Sequence, residues 1–418
     1  MSNKRTAAMG FIFITVLVDV IGWGLIIPVM PTLIAQLKGI PVNEASKDGG
    51  WLIVVYATMQ FVFAPVLGNL SDKYGRRSVL LFSLFGFGVD YIFVALAPTY
   101  GWLFVGRTIS GITGASFTTA SAYIADISTA ETRAKNFGML GAAFGLGFII
   151  GPAIGGLLSG FGIRAPFYAA AVLTLLNWLY GYFILPESLP VENRRAFSWK
   201  RANPVGALLH LQKYPAISGL VIALVLVYIG GHAVQSNWSF FTIYQFKWTN
   251  AMVGISLSVV GVLIAAVQGG LIRIVNPRLG NEKSVYVGLA LYAVGMFLFA
   301  FATQGWMMFL FLVPYCLGGI AGPALQAIIS SHVPANEQGE LQGGLTSLMS
   351  LTSIIGPLVM TNLFYYFTKP GNPLHLPGAP FLLGGLLMLG SAVIAYVVLR
   401  REKEQVVVET AVNKIFEK

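Results

Sequence analysis

Twelve apolar runs, each long enough to cross a lipid bilayer as a helix, are what this chain has to accommodate. They cover roughly 7–37, 49–71, 78–97, 101–127, 134–159, 166–185, 214–242, 250–274, 284–303, 305–332, 338–367 and 378–400. A membrane-crossing helix takes about 20 mostly apolar residues, so twelve take about 240. The composition supplies that number, because 56% of the 418 residues are apolar and only 10% are charged. So few charges cannot cover the surface of a water-soluble domain, which excludes a soluble enzyme, a disordered chain and a secreted disulfide scaffold. The runs are continuous rather than alternating, which argues against a transmembrane barrel. The expected fold class is an all-α membrane protein. Its one cysteine, Cys316, lies inside an apolar run, so no intrachain disulfide is expected. The first run follows Lys4 and Arg5 but is too long for a signal-peptide core, so it is expected to be retained as a helix.

Basic residues fix the expected topology. The net charge is +10. With the N-terminus inside, only Lys38, Lys47, Arg164, Lys247 and Lys369 fall outside, and Arg107 lies within a run. The remaining twenty of the 26 Lys and Arg residues face the cytoplasm. The basic excess is therefore a topology signal and no nucleic-acid surface, and both termini are expected in the cytoplasm. The longest internal polar stretch, 186–213, divides the runs six and six. The expected domains are a six-helix bundle over 1–185, a cytoplasmic linker over 186–213, a second bundle over 214–400 and a cytoplasmic tail over 401–418. The halves echo each other: Gly101-Trp102 and Gly305-Trp306 open the fourth and tenth runs, and Gly75 matches Gly280. Gly138 precedes Gly151-Pro152 as Gly343 precedes Gly356-Pro357. Such a repeat predicts two pseudo-symmetric bundles, an arrangement that in transporters places the substrate between them.

No G-x-x-x-x-G-K-[ST] loop is present, so no nucleotide partner is expected, and Gly145-x-Gly147 sits within an apolar run rather than after a strand. The four histidines (His210, His232, His332, His375) are scattered and no metal-ligand spacing occurs, so neither a metal nor a cofactor is expected. Three formal charges lie deep inside apolar runs: Asp19, Asp90 and Arg107. Such a charge costs about 2.5–3.5 kcal/mol on insertion scales and must face a partner or a cavity. Two readings stand: a structural ion pair, or a proton or substrate site. Dry surroundings favour a neutral carboxyl and a nearby guanidinium an ionised one, so such a pair can bind and release a proton as a cavity opens and closes. The second half offers only the neutral groups Gln235, Asn237, Gln268 and Gln326, with His232. Trp23, Tyr91, Phe117 and Trp238 are candidate aromatic walls, or lipid-facing residues.

Two motifs carry more information. Gly68-Asn69-Leu70-Ser71-Asp72-Lys73-Tyr74-Gly75-Arg76-Arg77 joins the second and third runs, with glycines for a tight turn and an acid and two bases for charge-assisted bonds. This spacing resembles the loop motif of the major facilitator superfamily. Gly147-x-x-x-Gly151-Pro152-x-x-Gly155-Gly156 places small residues for close helix packing and a proline for a bend. It looks like the fifth-helix motif of proton-driven exporters in that superfamily. VDVIGWGLIIPVMP (18–31), YATMQFVFAPVLGNLSDKYGRR (56–77), VDY (89–91), GRTISGITGAS (106–116), AYIADI (122–127), GPALQA (322–327) and GELQGGLTSLMSLTSIIGPL (339–358) are similar to the tetracycline–proton antiporters.

The resemblance implies a twelve-helix major facilitator fold in which Asp19, Asp90 and Arg107 are essential polar groups. It implies that Gln60 lines the cavity and that Asp72 governs a gate. Two positions depart from it: Ile264 aligns with a family histidine and Tyr292 with a family acid. Proton coupling would then run through Asp19 and Asp90. The expected function is secondary active transport of a small hydrophobic or amphipathic organic molecule, as proton-coupled efflux. The expected setting is a bacterial inner membrane, with the lipid bilayer and the substrate as partners and the chain as a monomer. The alternatives are facilitated diffusion or proton symport of a metabolite and, beyond these, an intramembrane enzyme or a transporter-like receptor. No catalytic residues stand at motif spacing, so no enzymatic activity is expected. Topology is testable directly: in a Cys316→Ser background, Ser71→Cys and Lys369→Cys should label from opposite sides with an impermeant thiol reagent. Labelling of both from one side would refute the arrangement.

Overall fold

The computed structural model describes residues 2–114, 116–199, 203, 206, 211–214, 217–334 and 337–416. Among these the chain is helical, with no strand. The helices are α1 (Ser2–Ile26), α2 (Met30–Lys38), α3 (Val42–Tyr74), α4 (Arg76–Leu96), α5 (Tyr100–Thr113), α6 (Ser116–Ile127), α7 (Ala130–Leu158) and α8 (Ala165–Ile184). Beyond the polar stretch follow α9 (Ser218–Phe246), α10 (Asn250–Ala266), α11 (Ile272–Ala300), α12 (Gly305–Leu317), α13 (Ala321–Ser331), α14 (Gln338–Thr368) and α15 (Ala379–Phe416).

Ten helical stretches among the described residues are long and apolar enough to cross a bilayer. One, Asn250–Ala300, runs for 51 residues. At 1.5 Å per residue it is roughly 75 Å long, more than twice a hydrocarbon core, so it supplies two crossings. Its helical geometry is interrupted at Gly280, whose φ of 75° only glycine adopts readily. The remaining crossing is a broken one, α5 followed by α6, neither part long enough alone. Twelve crossings result, in agreement with the apolar runs.

Three boundaries differ from the hydropathy reading. The first run is two helices, because Pro28 has no N–H to continue the ladder and Pro31 opens α2 with its φ already set. The expected loop between the eighth and ninth runs is helical apart from Gly280. The charged tail continues α15 to Phe416. Large apolar side chains face outward along the helices, among them Leu96, Val172, Leu176 and Val393, as a lipid-facing surface requires.

The residues form two compact units. The first contains Met1–Val205, Gln235–Val262 and Ser353–Pro377. Inside it α1 packs along α7 and α8, α4 along α8 and α5, and α3 along α5. The segments from the second half of the sequence are seated on these helices. Asn43 donates to the Thr368 carbonyl (3.0 Å), Thr32 to Asn250 Oδ1 (2.9 Å) and Ser239 to the Ile27 carbonyl (3.3 Å). The second unit contains Gly206–Val234, Leu263–Thr352 and Gly378–Lys418. Its centre is α11, which packs against α12, α13 and α15.

Glycine spacing explains how α1 and α7 come so close. Gly147, Gly151 and Gly155 lie four residues apart and form one stripe. A Cβ on Gly151 would stand 2.8 Å from the Ile21 carbonyl oxygen and 2.9 Å from the Gly24 Cα. One on Gly147 would stand 2.7 Å from the Val20 Cβ. Gly155 lies directly on the Leu25 backbone. Inside a membrane, where apolar burial against lipid gains little, such backbone proximity is a main source of helix association. Gly156, one position on, faces another neighbour: its Cβ would stand 2.6 Å from the Asn250 carbonyl oxygen. Gly254 of α10 lies against the Pro152 carbonyl, and Ser258 donates to the Ile149 carbonyl at 2.6 Å beside the Pro152 bend. The motif is thus a three-helix junction of α1, α7 and α10. Gly151→Leu should force α1 and α7 apart at a cost of about 1–3 kcal/mol or more, while Gly145→Leu, with open space around it, should cost far less. Thermal unfolding in detergent of the two variants checks this, and equal stability would contradict the packing.

Candidate functional site

One group of buried polar residues in the first unit lies around the gap between α5 and α6. Helix α5 ends at Gly114, leaving carbonyl groups without helical donors. Gln60 of α3 reaches across and donates to the Gly114 carbonyl at 3.1 Å and to the Tyr56 hydroxyl at 3.3 Å. Ser116 opens α6 and hydrogen-bonds the Asp19 carboxyl of α1. Behind it, Asp90 of α4 pairs with Arg107 of α5. Asp90 is 0% exposed and Arg107 is 7% exposed. The pair fits because residue 106 is glycine: a Cβ there would lie 2.5 Å from Asp90 Oδ1. Tyr91 packs flat against Gly22, where a Cβ would meet its hydroxyl at 3.1 Å. Tyr56 and Tyr91 stand within electrostatic range of Asp19, Asp90 and Arg107. Asp19 Oδ1, Asp90 Oδ1 and Arg107 Nε have no hydrogen-bond partner among the described residues. The structure therefore assembles Asp19, Gln60, Asp90, Tyr91 and Arg107 into one cluster within a single unit.

A second cluster sits at the loop end of α3 and α4. Gly75, with φ 101°, turns the chain between the two helices. Arg76 is gripped by Asp72 (2.6 Å), by the Ser71 hydroxyl (2.6 Å) and by Asp126 at the end of α6 (3.1 Å). Glu187, from the polar stretch, caps α4. Its carboxylate accepts from the Arg76 and Arg77 backbone N–H groups at 2.8 and 3.3 Å, and from those of Ser188 and Leu189. A carboxylate at a helix N-terminus is stabilised by unpaired N–H groups and the helix dipole. It occupies the space a Gly75 side chain would need. Arg77 donates to the Tyr182 carbonyl at 2.6 Å, and the Arg195 N–H donates to the Asp72 carbonyl at 3.0 Å. Beside this network lies a pocket of about 390 Å³ lined by Gly68, Asn69, Asp72, Arg76, Thr119 and Arg195, among others. Gly68 itself has open space around its Cα.

The candidates of the second half are dispersed. Trp238, expected as an aromatic wall, is 1% exposed and commits its indole N–H to Ser256 at 2.9 Å, so it is a packed core residue of the first unit. Gln235 is exposed on α9. In the second unit, His232 is buried, and Gln326 donates to the Tyr228 hydroxyl at 3.0 Å. Gln268 is exposed on a π-helical turn, Val267–Leu271, a distortion common at functional sites. Tyr292, at the position aligned with a family acid, meets the Tyr315 ring edge to face, with centroids 5.2 Å apart, and lies against Gly318, where the tenth crossing narrows to a 3₁₀ turn. Trp23 is half exposed beside Phe148. The side chain of Phe117 lies outside the described residues.

Sequence reading missed four participants. Ser116 and Tyr56 are common residues inside apolar runs and carry no signal of their own. Asp126 and Glu187 are visible in the sequence as acids at the ends of runs, near clusters of bases that call for counter-charges.

Comparison with known proteins accounts for this arrangement. The sequence profile of the Major Facilitator Superfamily matches residues 12–357 and again 274–416. The chain is 40% identical over 386 residues to the class C tetracycline resistance protein of Escherichia coli, covering 92% of this chain and 96% of that one. It is 39% identical over 373 residues to the class G protein of Vibrio anguillarum, covering 89% and 92%. The crystal structure of the human organic anion transporter MFSD10 (TETRAN) superimposes with a TM-score of 0.68 at 23% identity, over 94% of this chain and 99% of that one. The twelve crossings, the motif loop and the relatives agree: this chain is a transporter that belongs to the Major Facilitator Superfamily, beside the tetracycline resistance proteins.

Proposed function

We propose that the chain expels a small hydrophobic or amphipathic organic molecule in exchange for protons, with tetracycline-type compounds the first to test because they name its relatives. The observation that carries this reading is the buried cluster of the first unit. Two membrane-embedded carboxyls, Asp19 and Asp90, each keep an oxygen without a hydrogen-bond partner among the described residues, and Asp90 is paired with the Arg107 guanidinium. Neutralising a buried carboxyl by a proton removes one partner of an ion pair, so proton occupancy and helix packing are linked. Alternating hydration would trade the protonated state for the ion-paired one, and cargo binding to the same cavity would couple to that exchange. Ile264 and Tyr292 bring no acid or histidine to the second half, so the coupling falls on Asp19 and Asp90. No cofactor or energy-supplying nucleotide enters the scheme.

We further read the chain as bundles over 1–185 and 214–400, joined by a linker over 186–213 and followed by a tail over 401–418. It would sit as a monomer in a bacterial inner membrane with both termini in the cytoplasm. The glycine motif (Gly147, Gly151, Pro152, Gly155, Gly156) would be a pivot, and the loop network (Gly68, Asp72, Gly75, Arg76, Arg77) a gate.

Flux in proteoliposomes with and without an imposed pH gradient tests the coupling. The wild type should be driven by the gradient. Asp19→Asn and Asp90→Asn should each cut gradient-driven flux by an order of magnitude or more while changing binding less, and Tyr292→Phe should stay coupled. Wild-type flux indifferent to the gradient would make the protein a uniporter or the partner of another ion.

The gate has its own test. Asp72→Asn should slow turnover and leave substrate affinity nearly unchanged, because Arg76 loses one of its two carboxylates. Glu187→Ala, which strips four backbone N–H groups of their acceptor, should lower stability by about 1–2 kcal/mol. Unaltered turnover in Asp72→Asn would remove the gating role.

A further inference from the structure

Among the buried polar atoms of the first unit that have no protein partner among the described residues, Thr119 Oγ1 and Asn69 Oδ1 belong to side chains that line the pocket at the loop-end cluster, and Asp19 Oδ1 belongs to the other cluster. Leaving such an atom unpaired costs about 1–3 kcal/mol. Thr119 is 1% exposed and Asn69 7% exposed, so bulk solvent does not satisfy them. Their placement is ordered. Ser116, which bonds the Asp19 carboxyl, and Thr119 are three residues apart on α6. They share a face, about 4.5 Å apart along the axis. Thr119 and Asn69 then line the pocket of about 390 Å³ beside Asp72. That pocket is roomy enough for water, and a water bound between such atoms would supply the missing hydrogen bonds.

We propose that Ser116, Thr119 and Asn69 line a hydrated proton path from Asp19 to the pocket at the loop end of α3, which the basic-residue asymmetry places on the cytoplasmic side. The inference rests on the proton-coupled reading above. In the releasing direction, the O–H bond of the Asp19 carboxylic acid breaks and the nearest water takes the proton. The resulting hydronium passes its charge from water to water into the pocket, and Asp19 remains as the carboxylate. Loading runs the same steps backwards. The charged and titratable groups facing the path fit its ends. Around Asp19 stand Ser116, Tyr56 and Tyr91, and the same two tyrosines feel the Asp90–Arg107 pair. At the pocket stand Asp72, Arg76 and Arg195, with Asp126 holding Arg76 from behind. Asp72 and Asp126 offset the charge of Arg76 at the mouth.

Thr119→Val keeps the shape of the side chain and deletes its hydroxyl. It should lower gradient-driven flux in proteoliposomes about tenfold, the effect of about 1.4 kcal/mol on a barrier. Substrate counterflow at equal pH on both sides, which needs no net proton movement, should stay within twofold of the wild type. Thr119→Ser should restore the driven flux. Hydration is read separately from coupling: Thr119→Cys in a Cys316→Ser background should react with a small cationic methanethiosulfonate reagent, and Asn69→Leu should slow that reaction. A Thr119→Val protein that keeps the full driven rate overturns the path and leaves the coupling reading standing. An unreactive Thr119→Cys shows the segment to be dry and also overturns the path. Wild-type flux that ignores the gradient overturns the coupling reading, and with it any proton traffic along a path that still labels.

Discussion

A guanidinium kept among apolar helices dictates its surroundings, and much of the first unit can be understood as the means of keeping Arg107 there. Its only tolerable state is paired, and Asp90 supplies the pair from the neighbouring helix. The pairing requires glycine at 106, because any side chain at that position would displace the carboxylate. The helix that carries Arg107 ends seven residues later, at Gly114, and Gln60 covers the exposed carbonyl. The break brings Ser116 to Asp19. Ion pair, missing side chain, helix break and amide cap form one chain of consequences, and losing any member leaves another buried polar group unsatisfied.

Away from this cluster the same unit is held by proximity rather than charge. Glycines at 147, 151 and 155 let α7 lie on the backbone of α1, and Gly156 and Gly254 repeat the device between α7 and α10. The two principles divide the labour. Close backbone contact brings the helices together where there are no side chains to interlock, and the few ionised groups hold the polar cluster. The internal repeat preserves the backbone part of this scheme in both halves. Gly75 and Gly280 share a positive φ, and the fourth and tenth crossings are irregular at Gly114 and Gly318, 204 residues apart. The ion-pair part is not preserved: at the offset of Gly75 and Gly280 Asp90 is matched by Gly295, and at that of Gly114 and Gly318 Arg107 is matched by Phe311.

Much of this was legible in the sequence because the physics that writes it is coarse. Twelve apolar runs and three charges out of place in hydrocarbon are each visible without any structure. Glycine at i, i+4 and i+8 announces a close helix contact, although not with which partner. What escaped depends on side-chain direction. Trp238 lies on a run whose aromatic residues all looked alike, and only packing tells that its N–H is committed to Ser256. The interruptions at Pro28 and Gly114 do not lower the hydropathy, so a helix pair read as one helix. Ser116 and Thr119 gain meaning only from the carboxyl and the pocket they face.

The grip of Glu187 on α4 changes the mechanical length of the polar connection. Counted along the sequence, 186–213 could stretch to roughly 95 Å at the 3.3–3.6 Å that each extended residue spans. Its first ten residues, however, are fastened: Glu187 to the α4 N-terminus and Arg195 to the Asp72 carbonyl. At the far end Lys213 pairs with Glu340. Residues inserted between Glu187 and Arg195 would therefore pull a cap out of a helix rather than lengthen a free chain.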